Sequence, residues 1–223
     1  MSSSAVTALL ISLKVSVAAT LVVLPPGIAL GLLFARRQFP GKSVVETLAY
    51  LPLVLPPTAV GYLLLSLLAR QGPLGAKALG IDLDLLFTWK GAVLASALMA
   101  LPLVARTARI AFEGVSPRLE AMGRTLGMSP LRVLWEITLP LARRGLLASG
   151  VLGFSRALGE FGATVIVAGN IPGKTQTLAL AIFNDIQIGQ DVEARRLVGI
   201  TAVMAFVAIW VSEWLQSQRR NSK

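Results

Sequence analysis

The sequence predicts an all-α integral membrane protein with about five transmembrane helices, and three observations support this prediction. Hydrophobic residues make up 55% of the 223 residues and charged residues only 14%, whereas a typical soluble domain has about 25% charged residues. The hydrophobic residues are gathered in runs that reach the roughly 20 predominantly apolar residues needed to cross a bilayer. The basic residues are distributed unevenly between the connecting segments.

Five apolar runs are the candidate spans, at about residues 8–34, 44–68, 91–112, 141–168 and 197–215. The first is interrupted by Lys14 and a proline pair, and it is too long for a signal peptide and lacks a basic segment before it. Prolines also occur inside the second and third runs, and the fourth begins after Pro140. These prolines either mark kinks that shape a pathway or reflect the general frequency of proline in membrane helices. We expect one transmembrane domain covering residues 1–223.

The basic residues predict the orientation of the spans, because cytoplasmic loops of membrane proteins are enriched in Lys and Arg. Five spans place the segments 35–43 and 113–140 and the C-terminus on the same side. That side has thirteen basic residues and the other side six, where they are diluted by acidic residues. The thirteen are Arg36, Arg37, Lys42, Arg106, Arg109, Arg118, Arg124, Arg132, Arg143, Arg144, Arg219, Arg220 and Lys223; the six are Arg70, Lys77, Lys90, Lys174, Arg195 and Arg196. We therefore predict a cytoplasmic C-terminus and an N-terminus outside.

The composition also excludes several kinds of site. The chain contains neither cysteine nor histidine, which rules out disulfides, thiolate or imidazole metal sites, haem held by histidine, and Ser-His or Cys-His nucleophiles. The net charge of +10 is explained by cytoplasmic loops, so we expect no nucleic-acid partner. The sequence lacks a Gly-x-x-x-x-Gly-Lys-[Ser/Thr] run, and we expect no nucleotide site on this chain.

The segment 113–140 predicts two short helices. Ser116 is placed to cap the first helix, with Pro117 at its first position, and Gly127 suits the left-handed residue that ends it. Ser129 and Pro130 repeat the start signal, and Pro140 is expected to end or kink the second helix where the fourth span begins.

The first of these helices has an apolar stripe formed by Leu119, Met122 and Leu126, and small residues at Ala121 and Gly123. Glycine inside a helix costs about 1 kcal/mol relative to alanine, which indicates that something packs closely against it. The alternative is an interfacial helix with its stripe in lipid. The residues alone leave both interpretations open.

The same segment resembles a known family. The run Leu-Glu-Ala-Met-Gly-Arg-Thr-Leu-Gly (119–127), followed after nine residues by Ile-Thr-Leu-Pro (137–140), is similar to the EAA loop of ABC importer permeases. The resemblance implies the type I permease fold and a cytoplasmic helix-turn-helix that docks on an ATPase subunit and transmits its movement to the spans. The motif glutamate falls on Ala121, one residue after Glu120, so a salt link from that glutamate to the ATPase is not implied here. The docking residues implied by the resemblance are Leu119, Glu120, Ala121, Met122, Gly123, Leu126, Gly127, Ile137, Leu139 and Pro140.

Three further segments extend the resemblance over nearly the whole chain: 36–42, 155–163 and 168–177. The last two are most similar to the molybdate branch of the family, while sulfate and thiosulfate permeases share much of the pattern. The resemblance implies passage of an oxyanion, with molybdate first and tungstate or sulfate as alternatives. It also implies a homodimer with a second copy of the chain, cytoplasmic ABC ATPase subunits that use ATP and Mg, an extracytoplasmic oxyanion-binding protein, and the lipid of a bacterial inner membrane. No cofactor is expected on this chain.

Two charged residues lie inside the fourth span. Arg156 and Glu160 are four residues apart, and we expect them on one helix face. They form either a pathway pair, in which Glu160 partly neutralises Arg156 so that a dianion passes, or a structural pair. Gly153, Gly159 and Gly162 would allow close helix approach, and two copies meeting there would build the pore. The candidate translocation residues are therefore Arg156, Gly159, Glu160 and Gly162.

Two other functional classes compete with a non-catalytic transport subunit. An intramembrane enzyme would need clustered carboxylates or a nucleophile with a base, and only Glu160 is a plausible buried candidate. A secondary carrier is often built from two related halves, and the sequence has no evident internal repeat.

Overall fold

A computed structural model describes residues 3–80 and 84–217, and all regular secondary structure in these residues is helical. Asp82 and the basic residues Arg219, Arg220 and Lys223, used above for orientation, lie outside the described residues. Three helices are long and apolar enough to cross a membrane: α1 (Ser3–Arg36), α5 (Trp89–Glu113) and α11 (Asp191–Ser217). Each exceeds the roughly 20 residues that span about 30 Å of hydrocarbon.

Two further candidate spans are bent helix pairs. The helices α2 (Lys42–Tyr50), extended by a 3₁₀ turn at Leu51–Leu53, and α3 (Pro57–Leu68) meet at 108°. The segment Pro130–Leu158, which ends in α8 (Leu139–Leu158), meets α9 (Gly162–Ala168) at 65°. Residues 3–80 and 84–217 thus contain three to five candidate spans, depending on whether each bent pair is one crossing.

The candidate spans predicted at 44–68 and 141–168 are thus each interrupted by a bend. Pro56 has an extended backbone, with φ −53° and ψ 132°, because a proline at the next position disfavours helical geometry in the residue before it. The second break follows Leu158, where Gly159 ends α8. By contrast, α1 runs without interruption through Pro25 and Pro26, which membrane helices tolerate when other groups satisfy the freed carbonyls.

The remaining helices are short. They are α4 (Ala76–Leu79), α6 (Pro117–Thr125), α7 (Pro130–Val133) and α10 (Leu178–Gln187). The sequence analysis did not identify α10, which lies between the last two spans and packs on α1 and α11.

The three long helices α1, α5 and α11 run in the same direction. Gly27 and Gly31 of α1 face Val104 and Ala108 of α5 in the same order, so these two helices are parallel. A Cβ atom at Gly31 would lie 2.7 Å from Ala108 Cβ, so the two helices approach closely. The chain must therefore cross back between them, through the bent pair of α2 and α3.

The helix α8 runs opposite to α5. Gly145 near its start faces Ala111, and Gly153 farther along faces Val104. The beginning of α11 packs on the beginning of α1 through Leu197 and Ala8. Small residues at these crossings let the backbones approach, as is usual for helices packed in a membrane.

Candidate functional site

The loop between α5 and α8 contains two helices that begin at the expected residues. Ser116 precedes α6, whose first residue is Pro117, although the Ser116 side chain makes no capping bond. Ser129 precedes α7 and its side chain accepts a hydrogen bond from Arg132 N–H at 3.3 Å. Between the two helices, Gly127 has φ +83°, the left-handed conformation that glycine adopts without strain.

Pro140 does not end the second helix, contrary to one of the two expectations for it. The helices α7 and α8 are joined through a wider π-helical turn at Leu134–Thr138, and Pro140 lies in the first turn of α8. In this turn Leu139 N–H donates to the carbonyl of Leu134, five residues earlier. Such wider turns relieve the clash that a proline ring makes with the preceding helical turn. The second loop helix is consequently continuous with a membrane-spanning segment.

Glu120 is the centre of a buried polar cluster at this end of the molecule. Its Oε1 atom accepts hydrogen bonds from Arg36 Nε at 3.0 Å and Nη2 at 2.8 Å, and from Thr138 Oγ1 at 2.9 Å. Arg36 Nη2 also donates to the carbonyl of Val115 at 3.0 Å. The Glu120 side chain is only 8% exposed.

This cluster joins the end of α1, the helix α6 and the π-helical turn before α8. Removing one partner from a buried ion pair costs about 3–5 kcal/mol, because the remaining charge is left uncompensated. Sequence reasoning missed Arg36 and Thr138 as parts of the loop. No local pattern in the sequence indicated these contacts, because Arg36 and Thr138 are 84 and 18 residues from Glu120 in the chain.

Gly123 packs closely, but within the loop itself. A Cβ atom at this position would lie 2.7 Å from Ile137 Cδ1 and 3.3 Å from Val133 Cγ2. The sequence analysis inferred from this glycine that another group packs closely against the helix. That group is the second half of the same loop. Gly123 and Ile137 hold α6 against α7 and the π-helical turn, and Leu139 packs against the core residues around Phe112.

The outward side of the loop has five exposed large apolar side chains, next to exposed charged residues such as Arg132 and Glu136. Leu126 is 82% exposed and Trp135 is 69% exposed. We call this side the loop surface; it consists of the exposed residues Leu119, Met122, Leu126, Leu131 and Trp135. Large exposed apolar patches mark sites of interaction with a protein or a membrane. Leu131 and Trp135 were not among the sequence-predicted residues.

Arg156 and Glu160 form the predicted ion pair, but they do not lie on one helix. The helix α8 ends at Leu158, so Glu160 lies in the break between α8 and α9 and not on a continuous helix face. Its Oε2 atom lies 2.7 Å from Arg156 Nη1, and its Oε1 atom accepts a hydrogen bond from Ala163 N–H at 2.8 Å. The carboxylate thereby links the end of α8 to the beginning of α9.

The two members of this pair differ in exposure. The Glu160 side chain is 1% exposed and that of Arg156 is 27% exposed. A carboxylate buried in this way is stable when it is paired and hydrogen-bonded. Arg156 is thus the more accessible member of the pair.

The two breaks lie against each other. A Cβ atom at Gly162, the first residue of α9, would lie 2.8 Å from Pro57 Cβ, the first residue of α3. One turn into α3, a Cβ atom at Gly61 would lie 2.8 Å from Ala163 Cα. We call this contact the central break. Sequence reasoning named Gly162 but did not identify its neighbour.

The glycines of the fourth span therefore do not share one role. Gly153 and Gly162 meet Val104 and Pro57 of the same chain, whereas a Cβ at Gly159 would meet no described atom within 4 Å except the carbonyl of Ser155, at 3.9 Å. Gly153 and Gly162 thus allow close approach of helices within the chain. That two copies meet at this span stays a prediction.

Comparison with known proteins identifies the protein family. A family model described as binding-protein-dependent transport system inner membrane component matches residues 27–218. The chain is 46% identical over 210 residues to the molybdenum transport system permease protein ModB of Escherichia coli (strain K12), covering 93% of this chain and 92% of that protein. It is 44% identical over 220 residues to ModB of Haemophilus influenzae, covering 98% and 96%. It is 31% identical over 216 residues to the sulfate transport system permease protein CysW of Synechocystis, covering 95% and 78%.

Solved structures show the same fold. A bacterial ABC transporter involved in the import of the acidic polysaccharide alginate has a TM-score of 0.74 at 18% identity, covering 99% of this chain and 80% of that chain. The alginate transporter in complex with an alginate pentasaccharide-bound periplasmic protein has a TM-score of 0.71 at 18% identity, covering 100% and 81%.

Proposed function

This chain belongs to the family of binding-protein-dependent transport system inner membrane components, and on that premise we propose that it is the permease subunit of an ATP-driven molybdate importer. As a permease it is a transport subunit and not an enzyme. The observation that carries the proposal is an exposed apolar loop surface on helices that are continuous with a membrane-spanning segment, since such a loop can transmit movement from a partner outside the membrane to the spans.

The proposed substrate is molybdate. Relatives named as molybdenum permeases reach 46% and 44% identity and match over more than nine-tenths of their length, whereas the sulfate relative reaches 31%. Sulfate and tungstate are the alternative oxyanions.

We propose a single transmembrane domain of five crossings over residues 1–223, with the two bent pairs each counted as one. The common direction of α1, α5 and α11 and the opposite direction of α8 support this number, because each bent pair or α8 must return the chain between two parallel helices. The contact of Arg36 with the loop 113–140 supports placing both segments on one side. Because that side has most of the basic residues, it is the cytoplasmic side, and the N-terminus is outside.

The loop surface is the proposed docking site for a cytoplasmic ATPase subunit, which would bind ATP and Mg. Leu119, Met122 and Leu126 would contact the partner, together with Ala121, Leu131 and Trp135. Glu120, Gly123, Ile137 and Leu139 support the loop from within or behind, whereas Gly127 and Pro140 are exposed and set the course of its backbone. This division follows from their burial and contacts.

The translocation path is proposed to pass the central break, with Arg156 and Glu160 as a pathway pair and Gly159 and Gly162 as break residues. One chain of five spans is small for enclosing a solvated oxyanion, so a second copy would complete the path. An extracytoplasmic binding protein would deliver the anion from the other side.

Reconstitution tests this function directly. Proteoliposomes are prepared with the full chain, its cognate ATPase and the binding protein. They should take up labelled molybdate only when ATP is present on the side of the membrane where the ATPase is bound. Unlabelled molybdate should compete better than sulfate. Uptake without the ATPase would instead indicate a secondary carrier, and stronger competition by sulfate would change the substrate but not the class of protein.

A further inference from the structure

A small polar cavity lies at the end of the molecule opposite the loop surface. It has a volume of about 210 Å³ and is bounded by the beginning of α1, by α10, by the beginning of α11 and by the segment before α10. Its polar and charged lining residues are Ser4, Gln176, Asn184, Asp185, Gln190 and Glu193. We call it the outer cavity.

The length of α1 places this cavity beyond the hydrocarbon of the membrane. Arg36, at one end of α1, contacts the loop, whereas Ser4 lines the outer cavity at the other end. The part of α1 between these two residues is about 48 Å long at about 1.5 Å per residue, and the hydrocarbon is only roughly 30 Å thick. In the orientation proposed above, the outer cavity therefore lies on the extracytoplasmic side.

Asp185 gives the outer cavity an uncompensated negative charge. Its side chain has no ion pair or hydrogen bond with any residue of the described ranges. Glu193, the other acidic residue of the lining, is paired with Arg196 at 2.8 Å. Neither lysine nor arginine lines the cavity in the described part of the chain. The outer cavity is thus suited to a cationic group.

Gln176 provides a second, independent sign of an occupant. The residue is only 7% exposed, and its backbone N–H donates to the carbonyl of Ile171 at 3.1 Å. Its side-chain amide lines the cavity and has no hydrogen bond to a residue that the structure describes. Buried amide groups in proteins are normally paired, because an unpaired one is destabilising. The Gln176 amide is therefore placed to bond a group that enters the cavity.

The charge and the size of the cavity limit what that group is. An oxyanion would be repelled by Asp185. Within residues 3–80 and 84–217, no three acidic side chains come together as they do in a metal site. The volume is below the roughly 300–1,000 Å³ of pockets for small molecules, which leaves the end of a single side chain as the best fit.

We propose that the outer cavity receives one lysine or arginine side chain of the extracytoplasmic binding protein. Its cationic group would lie on the Asp185 carboxylate, and the Gln176 amide oxygen would accept one of its hydrogen bonds. This inference rests on the proposed function, which places such a binding protein on this side of the membrane. It assigns the docking contact and its chemistry to two residues.

The test measures docking without transport. The full chain and its ATPase are reconstituted in lipid nanodiscs and titrated with the labelled cognate binding protein. Asp185→Asn should raise the Kd at least about tenfold, as expected when one partner of a charge pair at an interface is lost. Asp185→Glu should bind much more tightly than Asp185→Asn, because the charge remains. Gln176→Leu should raise the Kd about fivefold through the loss of one hydrogen bond.

Asp191→Asn is the matched control. Asp191 is exposed at the start of α11, at the same end of the molecule, but it does not line the cavity. This variant should bind as the wild type does. Copurification of the ATPase, which would dock at the opposite end, should be normal for every variant and shows that the chain is folded.

A charge exchange identifies the partner residue. Asp185→Lys should nearly abolish docking, and one Lys→Asp or Arg→Asp variant of the binding protein should restore it. Failure of every such variant to restore docking would overturn the proposal.

Three other results would also overturn it. They are an unchanged Kd in Asp185→Asn, equal weakening by Asp185→Asn and Asp191→Asn, and loss of docking on addition of EDTA, which would indicate a metal ion in the cavity. A wild-type chain that docks no binding protein would overturn the proposed function as well. Docking that depends on Asp185 without molybdate uptake would count against the proposed substrate alone, so the two proposals fail separately.

Discussion

Arg36 and Glu120 are 84 residues apart in the chain, yet Arg36 donates two hydrogen bonds to one carboxylate oxygen of Glu120, at 3.0 and 2.8 Å. The contact joins the last residue of α1 to the first helix of the loop. Thr138 donates to the same oxygen, which adds the beginning of the fourth candidate span. A force applied to the loop surface would thus reach α1 as well as α8.

The first prediction follows from this contact. Glu120→Gln or Arg36→Gln should destabilise the loop by about 3–5 kcal/mol, because each leaves one buried charge without its partner. The readouts are limited proteolysis of the loop and molybdate uptake per ATP hydrolysed. The charge-reversed double variant Arg36→Glu with Glu120→Arg should recover part of both.

The matched control is the pair Arg132–Glu136, at 2.8 Å with side chains 63% and 51% exposed. Exposed pairs contribute only about 0.2–1 kcal/mol, so Glu136→Gln should change little. Equal effects at Glu120 and Glu136 would contradict the role assigned to the buried pair.

The second prediction separates the fold of the loop from its docking. Gly123→Leu should disrupt the loop, because the new side chain would overlap Ile137 and overpacking costs about 1–3 kcal/mol or more. Ala121→Leu, at an exposed position two residues earlier, should leave the loop folded and weaken ATPase binding. Proteolysis and copurification of the ATPase distinguish the two defects; similar proteolysis of both variants would refute the internal packing of Gly123.

The third prediction concerns the loop surface. Leu126→Asp should reduce the amount of ATPase that copurifies with the chain, because it places a charge on an apolar contact. Thr125→Asp, at the neighbouring exposed position outside the apolar stripe, is the control. Insertion into the membrane should be normal for both, and unchanged copurification of Leu126→Asp would argue for a lipid-facing stripe.

The fourth prediction concerns Arg156 and Glu160. Glu160→Gln should slow transport, because a dianion would dwell on the uncompensated Arg156, while the amide oxygen can still accept from Ala163 N–H. Arg156→Gln leaves a buried carboxylate that repels the anion or takes up a proton. The double variant should transport better than the worse single variant, a non-additivity that a mutant cycle measures. Uptake must be normalised to assembled transporter, and normal specific activity in both single variants would place the pair outside the path.

The fifth prediction concerns topology. Single cysteines at Ser43 and Lys174 should label from opposite sides, Ser43 from the cytoplasm and Lys174 from outside. Ser43 is preferred to Gly41, whose φ of +81° disfavours a side chain. A further label at Ser222 tests the C-terminus, which lies outside the described residues. Labelling of Ser43 and Lys174 from one side would contradict five crossings.

The sequence by itself determined the membrane class, the approximate positions of the spans and the two helices of the loop. These features depend on local properties: the length of apolar runs, the backbone limits of Pro117 and Pro130, and the left-handed geometry of Gly127. Such signals act over a few residues and do not need the rest of the chain.

Only the tertiary structure decided which residues meet. No local pattern joins Arg36 to Glu120, places Ile137 over Gly123, or sets Gly162 against Pro57, because each contact depends on how distant helices pack. The same holds for the bends: proline and glycine at positions 56 and 159 allowed a break, but whether a helix breaks depends on what satisfies its freed backbone groups. At the second break, the Glu160 carboxylate satisfies one of these groups by accepting a hydrogen bond from Ala163 N–H, whereas α1 remains continuous through Pro25 and Pro26.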